Sequence, residues 1–119
     1  MSSVENTIPV LGVSDLEGSI RFYRETLGFD LDWRGTGTAS VSKDGHPIML
    51  SQNLGIESKV WVWIGVRDAG LFEDFRDKGV NVLQEPKNYS WAFEMKFEDP
   101  DGNVLWLGTE PRKDIPFED

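Results

Sequence analysis

Apolar residues recur along this chain in two rhythms, a helical one and an alternating one, and the rhythms come in the same order twice. Residues 7–13 read as extended. Ser14 is a candidate N-cap, and Glu17 three places on completes a capping box. Leu16, Ile20, Tyr23 and Leu27 then recur at helical spacing, and Gly28 supplies the stop. Residues 29–34, 38–43 and 46–52 read as strands, with Gly35 to Gly37 and Asp44-Gly45 as hairpin turns. In the second half, residues 60–66 form a strand and Asp68 caps a helix whose apolar face is Leu71, Phe72 and Phe75. Strands are predicted at 80–84, 91–98 and 103–109, with the turn Pro100-Asp101-Gly102 between the last two. The charged tail Glu110–Asp119 carries two prolines and reads as a loose end.

The duplication is visible in the residues. Leu11-Gly12-Val13-Ser14-Asp15 recurs 53 positions on as Ile64-Gly65-Val66-Arg67-Asp68. Asp44-Gly45-His46-Pro47-Ile48-Met49-Leu50 recurs 57 positions on as Asp101-Gly102-Asn103-Val104-Leu105-Trp106-Leu107. Two equivalent halves, about 5–54 and 58–110, therefore build one α+β domain spanning 1–119. Half the chain makes a poor core by itself, so the segment Asn53 to Ser58 is expected to be a connection within that domain.

Composition narrows the chemistry. No cysteine is present, which excludes disulfides, thiolate metal sites and a cysteine nucleophile. The single histidine, His46, excludes sites that need two imidazoles. A net charge of −9 disfavours nucleic acid and anionic membranes and favours cationic ligands. No targeting segment or bilayer-length apolar run is visible, and the expected location is cytoplasmic. The Asn88-Tyr89-Ser90 sequon reads as coincidence without a secretion signal. Five tryptophans and seven phenylalanines are many for 119 residues, so some rings are expected to line something other than the core.

The stretch Gly12-Val13-Ser14-Asp15-Leu16-Glu17, followed by Ile20, Phe22-Tyr23 and Leu27-Gly28-Phe29, resembles the opening of the vicinal oxygen chelate superfamily. Asp99-Pro100-Asp101-Gly102-Asn103-Val104-Leu105, with Leu107, resembles its closing strand. That superfamily includes glyoxalase I, extradiol dioxygenases, fosfomycin-resistance enzymes and bleomycin-resistance proteins. The resemblance covers roughly residues 5 to 110. It implies paired βαβββ modules whose strands curl into a cup, often in a homodimer. It also implies four metal-ligand positions, which in this sequence hold Ile8, Met49, Trp61 and Trp106. None of these side chains suits a hard or borderline cation. The resemblance therefore points to the metal-free, bleomycin-resistance-like members, with no cofactor.

Strand periodicity says what replaces the metal. Phe93, Met95 and Phe97 should lie under the helices, which leaves Glu94 and Lys96 on the face of Trp106. A one-residue slip would reverse that assignment. The expected cup then holds Trp61, Trp63, Trp106, Met49, Ile8, Glu94 and Lys96, with Trp33 and Trp91 at the rim or at an interface. An aromatic concavity with one carboxylate suits a flat, cationic small molecule. The tryptophans could instead fill a second core or a dimer interface, and Glu94 with Lys96 could be an exposed cross-strand pair. Two functions follow: a binding protein that sequesters an aromatic, cationic ligand unchanged, or an enzyme of the same fold using Glu94 as general base.

Overall fold

The structure, a computed structural model, describes residues 3–54 and 59–119. Of the expected connection Asn53 to Ser58, residues 55–58 lie outside the described residues. The chain divides between Val60 and Trp61 into two compact units.

The first unit contains β1 (Val10–Gly12), α1 (Leu16–Arg21), β2 (Asp30–Arg34), β3 (Thr38–Lys43) and β4 (His46–Ser51). Its sheet runs β1-β4-β3-β2. β1 lies parallel to β4, and the other pairs are antiparallel. The second unit contains β5 (Trp61–Gly65), α2 (Gly70–Asp77), β6 (Asn81–Asn88), β7 (Phe93–Glu98) and β8 (Val104–Thr109). Its sheet runs β5-β8-β7-β6, with β5 parallel to β8. The two strand orders are the same once the halves are aligned, which is the duplication read from the sequence.

In each unit one sheet face is apolar and carries the helix. Leu11, Ala39, Val41, Ile48 and Leu50 are buried in the first unit with Leu16, Ile20, Tyr23 and Leu27 of the helical segment. In the second, Phe72 of α2 stacks on Phe93 at 5.6 Å, and Phe75 meets Phe97 edge-on at 5.4 Å. The hairpin between β3 and β4 turns through Asp44 and Gly45, both at positive φ (53° and 82°), the pairing a two-residue type I′ turn requires. At the matching place in the second unit, the carboxylate of Asp99 closes the turn. Its Oδ1 accepts from the backbone N–H of Asp101 and of Asn103, and its Oδ2 from the Asn103 amide.

Four local expectations are corrected. The helix starts one residue later than expected: Asp15, not Ser14, is the N-cap residue, and it makes no side-chain cap bond. Instead the Leu16 N–H donates to Oε1 of Gln52, and Glu17 pairs with Arg34. The helix continues past Arg21 as a π-helical segment, Phe22–Thr26, before Gly28 ends it at φ 79°. The third strand of the second half does not stop at 84 but runs through Pro86 to Asn88. β6 is an edge strand with two register shifts against β7, which is where a strand tolerates a proline.

The fourth correction is the tail. Residues 112–119 are not loose but are held by Asn88, which is fully buried. Its Nδ2 donates to the carbonyls of Arg112, Ile115 and Pro116, and its Oδ1 accepts from the Arg112 N–H. The Asn88 N–H donates to the Glu118 carboxylate, and the Glu118 N–H donates back to the Asn88 carbonyl. Ser90 gives both its N–H and its hydroxyl to the Asp119 carboxylate.

Candidate functional site

The second sheet's other face carries the chemistry. β5 presents Trp61 and Trp63, and β8 presents Val104, Trp106 and Gly108, which are their register partners in part: Trp61 opposite Val104, Trp63 opposite Trp106. β7 places Lys96 opposite Trp106 and Glu94 opposite Gly108. β6 adds Gln84 opposite Lys96. Strand alternation therefore puts Trp61, Trp63, Trp106, Glu94 and Lys96 on one face, with no slip in the β7–β8 register, and Gln84 joins them opposite Lys96.

The rings on this face are arranged at right angles. Trp61 meets Trp106 edge-on at 6.1 Å, and Trp63 meets it at 5.2 Å from the register position directly opposite. Trp61 is 61% exposed and Trp63 49%. Rings this open in the chain do not make a closed second core. Gly108 explains how Trp63 is seated. A Cβ at that position would stand 2.0 Å from Cη2 of Trp63, so the ring lies across bare backbone.

Polar groups punctuate the rings. The Lys96 ammonium sits 5.6 Å from the Trp61 ring centre and 5.2 Å from that of Trp106, and donates to Oε1 of Gln84 at 3.1 Å. Glu94 is only 2% exposed, so it is no surface cross-strand partner of Lys96. Three atoms of this face are buried and lack any hydrogen-bond partner: Oε2 of Glu94, Nε1 of Trp106 and Nε2 of Gln84. A buried polar atom left unpaired costs about 1–3 kcal/mol, and native structures keep few of them. All three lie on the same sheet face.

The remaining predicted residues lie elsewhere. Met49 is on the first sheet, opposite Ser40 and Val10, and Ile8 precedes β1 on the same unit. The bulge in β2 between Leu31 and Trp33 brings Trp33 opposite Ser40, and Asp32 there accepts from the hydroxyls of Ser40 and Ser42. Trp91 stacks on Tyr89 at 4.6 Å in the turn after β6. That turn adjoins the Phe93–Thr109 end of the sheet, whereas Trp61 pairs at Val104, five residues or about 17 Å away along β8. Gln84 and Gly108 were not among the sequence candidates. A lone glycine inside a strand is a signal of close approach, and the alternation of β6 points to Gln84 once the strand's register is fixed.

The superfamily's metal can be tested on the donor set. Ile8, Met49, Trp61 and Trp106 offer no oxygen or imidazole nitrogen. Among the described residues, no group of three or more His, Asp or Glu side chains could hold an ion. The residues present do not fit a metal.

Residues 7–107 match the family model described as the Glyoxalase/Bleomycin resistance protein/Dioxygenase superfamily. The chain belongs to this superfamily. Three solved structures of similar fold show its range. TnmS3, an antibiotic binding protein from Streptomyces sp. CB03234, is 30% identical, with 94% of this chain and 99% of that one covered and a TM-score of 0.79. A glyoxalase/bleomycin resistance protein/dioxygenase from Nocardioides is 23% identical, with coverage of 99% and 91% and a TM-score of 0.75. TioX from Micromonospora sp. ML1 is 17% identical, with coverage of 90% and 99% and a TM-score of 0.79. No curated protein sequence matches the chain. Superfamily membership accounts for the α+β fold and its two repeated sheets; no helix among the described residues is long and apolar enough to cross a membrane.

Proposed function

We propose that the protein binds and sequesters an aromatic, cationic small molecule on the tryptophan face of the second sheet, without a metal and without altering the ligand. The observation that carries this reading is Glu94. The residue is 2% exposed and its Oε2 has no partner, on a face that carries three indole rings. A ligand cation supplies the missing partner, and its rings stack on the tryptophans. The likeness to an antibiotic binding protein at 30% identity supports the same class of function. The functional unit is a cytoplasmic homodimer, and Met49, Ile8, Trp33 and Trp91 are further ligand-binding candidates. Sedimentation at micromolar concentration then gives about twice the 13.5 kDa of one chain.

Intrinsic fluorescence tests the binding. Bleomycin and other flat aromatic cations should quench the emission of Trp61 and Trp106 with micromolar or tighter dissociation constants, a net of about 8 kcal/mol. Trp106→Ala should weaken binding at least tenfold by removing the central ring. The mass and NMR spectrum of the ligand recovered after incubation separate sequestration from the alternative, a lyase- or isomerase-type enzyme in which Glu94 acts as a general base and the ligand is changed. Absence of quenching by every aromatic cation, or a Trp106→Ala protein that binds as well as its parent, would sink the assignment.

A further inference from the structure

The face that receives the ligand is richer in donors than in acceptors. Glu94 Oε2 is its one buried acceptor without a partner. Against it stand three nitrogen donors: the indole N–H of Trp106 and the amide Nε2 of Gln84, both buried and unpartnered, and the Lys96 ammonium, which donates to Gln84 Oε1. An ammonium has three protons to give. Register fixes these groups as neighbours, since Gln84 lies opposite Lys96, and Lys96 opposite Trp106. Lys96 also holds the place a ligand cation would take over the rings of Trp61 and Trp106. A ligand that brought only positive charge would satisfy Glu94, leave two donors orphaned and push against Lys96.

We infer that the tryptophan face selects aromatic ligands that carry hydrogen-bond acceptor oxygens on the ring system, received by Trp106, Gln84 and Lys96, in addition to the positive group that meets Glu94. The inference rests on the binding reading above and specifies its ligand class. The positive group belongs on an arm that reaches Glu94, and not on the rings, because Lys96 occupies the cation position there. Lys96 is then a specificity-determining residue. It repels ring-borne cations and rewards ring-borne carbonyl or hydroxyl oxygen. A site built with buried donors discriminates strongly against analogues that leave them unpaired.

Two probes of like shape test this: an acridone and an anthracene, each bearing the same short alkylammonium arm. Isothermal titration of the full-length protein should show the acridone binding roughly tenfold or more tightly, although the anthracene is the more hydrophobic ring. Lys96→Met and Gln84→Leu should each shrink that ratio several-fold, with far-ultraviolet circular dichroism showing that both variants fold. Both probes binding wild type equally would overturn the acceptor inference and leave the binding reading standing. An unchanged ratio in both variants would overturn the roles given to Lys96 and Gln84. Failure of both probes to bind would overturn the binding reading and this inference with it.

Discussion

The side chain with the least freedom on the tryptophan face is a glycine's missing one. Trp63 lies over Gly108 with no room for a Cβ beneath it, yet its ring is half exposed. A methyl group at 108 would therefore be accommodated by the ring swinging outward and not by the sheet moving. Overpacking a closed core costs about 1–3 kcal/mol, but an outward escape avoids most of that penalty. Gly108→Ala is expected to lower stability by less than about 1 kcal/mol. It should at the same time change the near-ultraviolet circular dichroism of the coupled Trp63–Trp106 pair and weaken ligand binding several-fold. Urea unfolding and titration on one preparation check both halves of the statement. A large stability loss would mean that the ring cannot leave, and unchanged binding would mean that Trp63 is not part of the platform. Neighbouring Lys96 illustrates what one residue's letter conceals. Alternation placed it on this face from the sequence, but its choice of two indole rings and an amide over the carboxylate two positions away depends on rotamers that no periodicity encodes.

At the level of elements, β6 and the tail depend on each other. The final residues were read as loose because they are charged and carry two prolines, and nothing local orders such a segment. What orders it is chiefly a buried amide 24 to 28 residues away in sequence, making bonds to three carbonyls and one N–H, joined by backbone and Ser90 bonds to Glu118 and Asp119. Long-range pairing of this kind leaves no periodic trace, and Pro86 hid the strand that carries it. The strands whose alternation and turns are local, β3, β4, β7 and β8, could be read to within two residues. Asn88→Ala removes four hydrogen bonds at once. At about 0.5–1.5 kcal/mol each, imperfectly additive, a loss of about 2–4 kcal/mol is expected, with the tail becoming the first site of proteolytic cleavage. Limited proteolysis followed by mass measurement checks this. Acid should release the same segment. Hydrogen bonds from the Ser90 side chain and N–H lower the carboxyl pKa of Asp119, and the Arg112 side chain does the same for Asp114. Asp119 alone of the two holds the tail to Ser90, and its folded value below the ordinary 3.8 means that this contact is fully supported above that pH. The support is lost as pH falls through the lowered value. The Ser90 amide resonance should report undocking in that acid range and not at neutral pH.

For the whole molecule, the duplication was legible because both halves bury the same faces with the same turns, and that logic survives extensive change in individual residues. The site was legible only in part, because the rings announce a platform while the identity of the ligand is written in unpaired atoms that appear only in three dimensions. Charge acts at this largest scale. The chain's −9 surrounds a site whose own local charges, Glu94 and Lys96, nearly cancel. On the proposed reading, attraction of a cationic ligand over distance comes from the whole surface, whereas its retention comes from ring contacts and a buried carboxylate. Salt screens the first, with a Debye length near 8 Å at about 0.15 M, and leaves the second largely intact. Stopped-flow quenching with a cationic aromatic should show an association rate that falls several-fold between about 0.02 M and 0.5 M salt, and a dissociation rate that changes less than about twofold. Glu94→Gln should do the opposite, raising the dissociation rate at every salt concentration while leaving most of the salt dependence of association in place. If salt acts instead on dissociation, the contacts holding the ligand are solvent-exposed ion pairs, and the buried carboxylate is not its anchor.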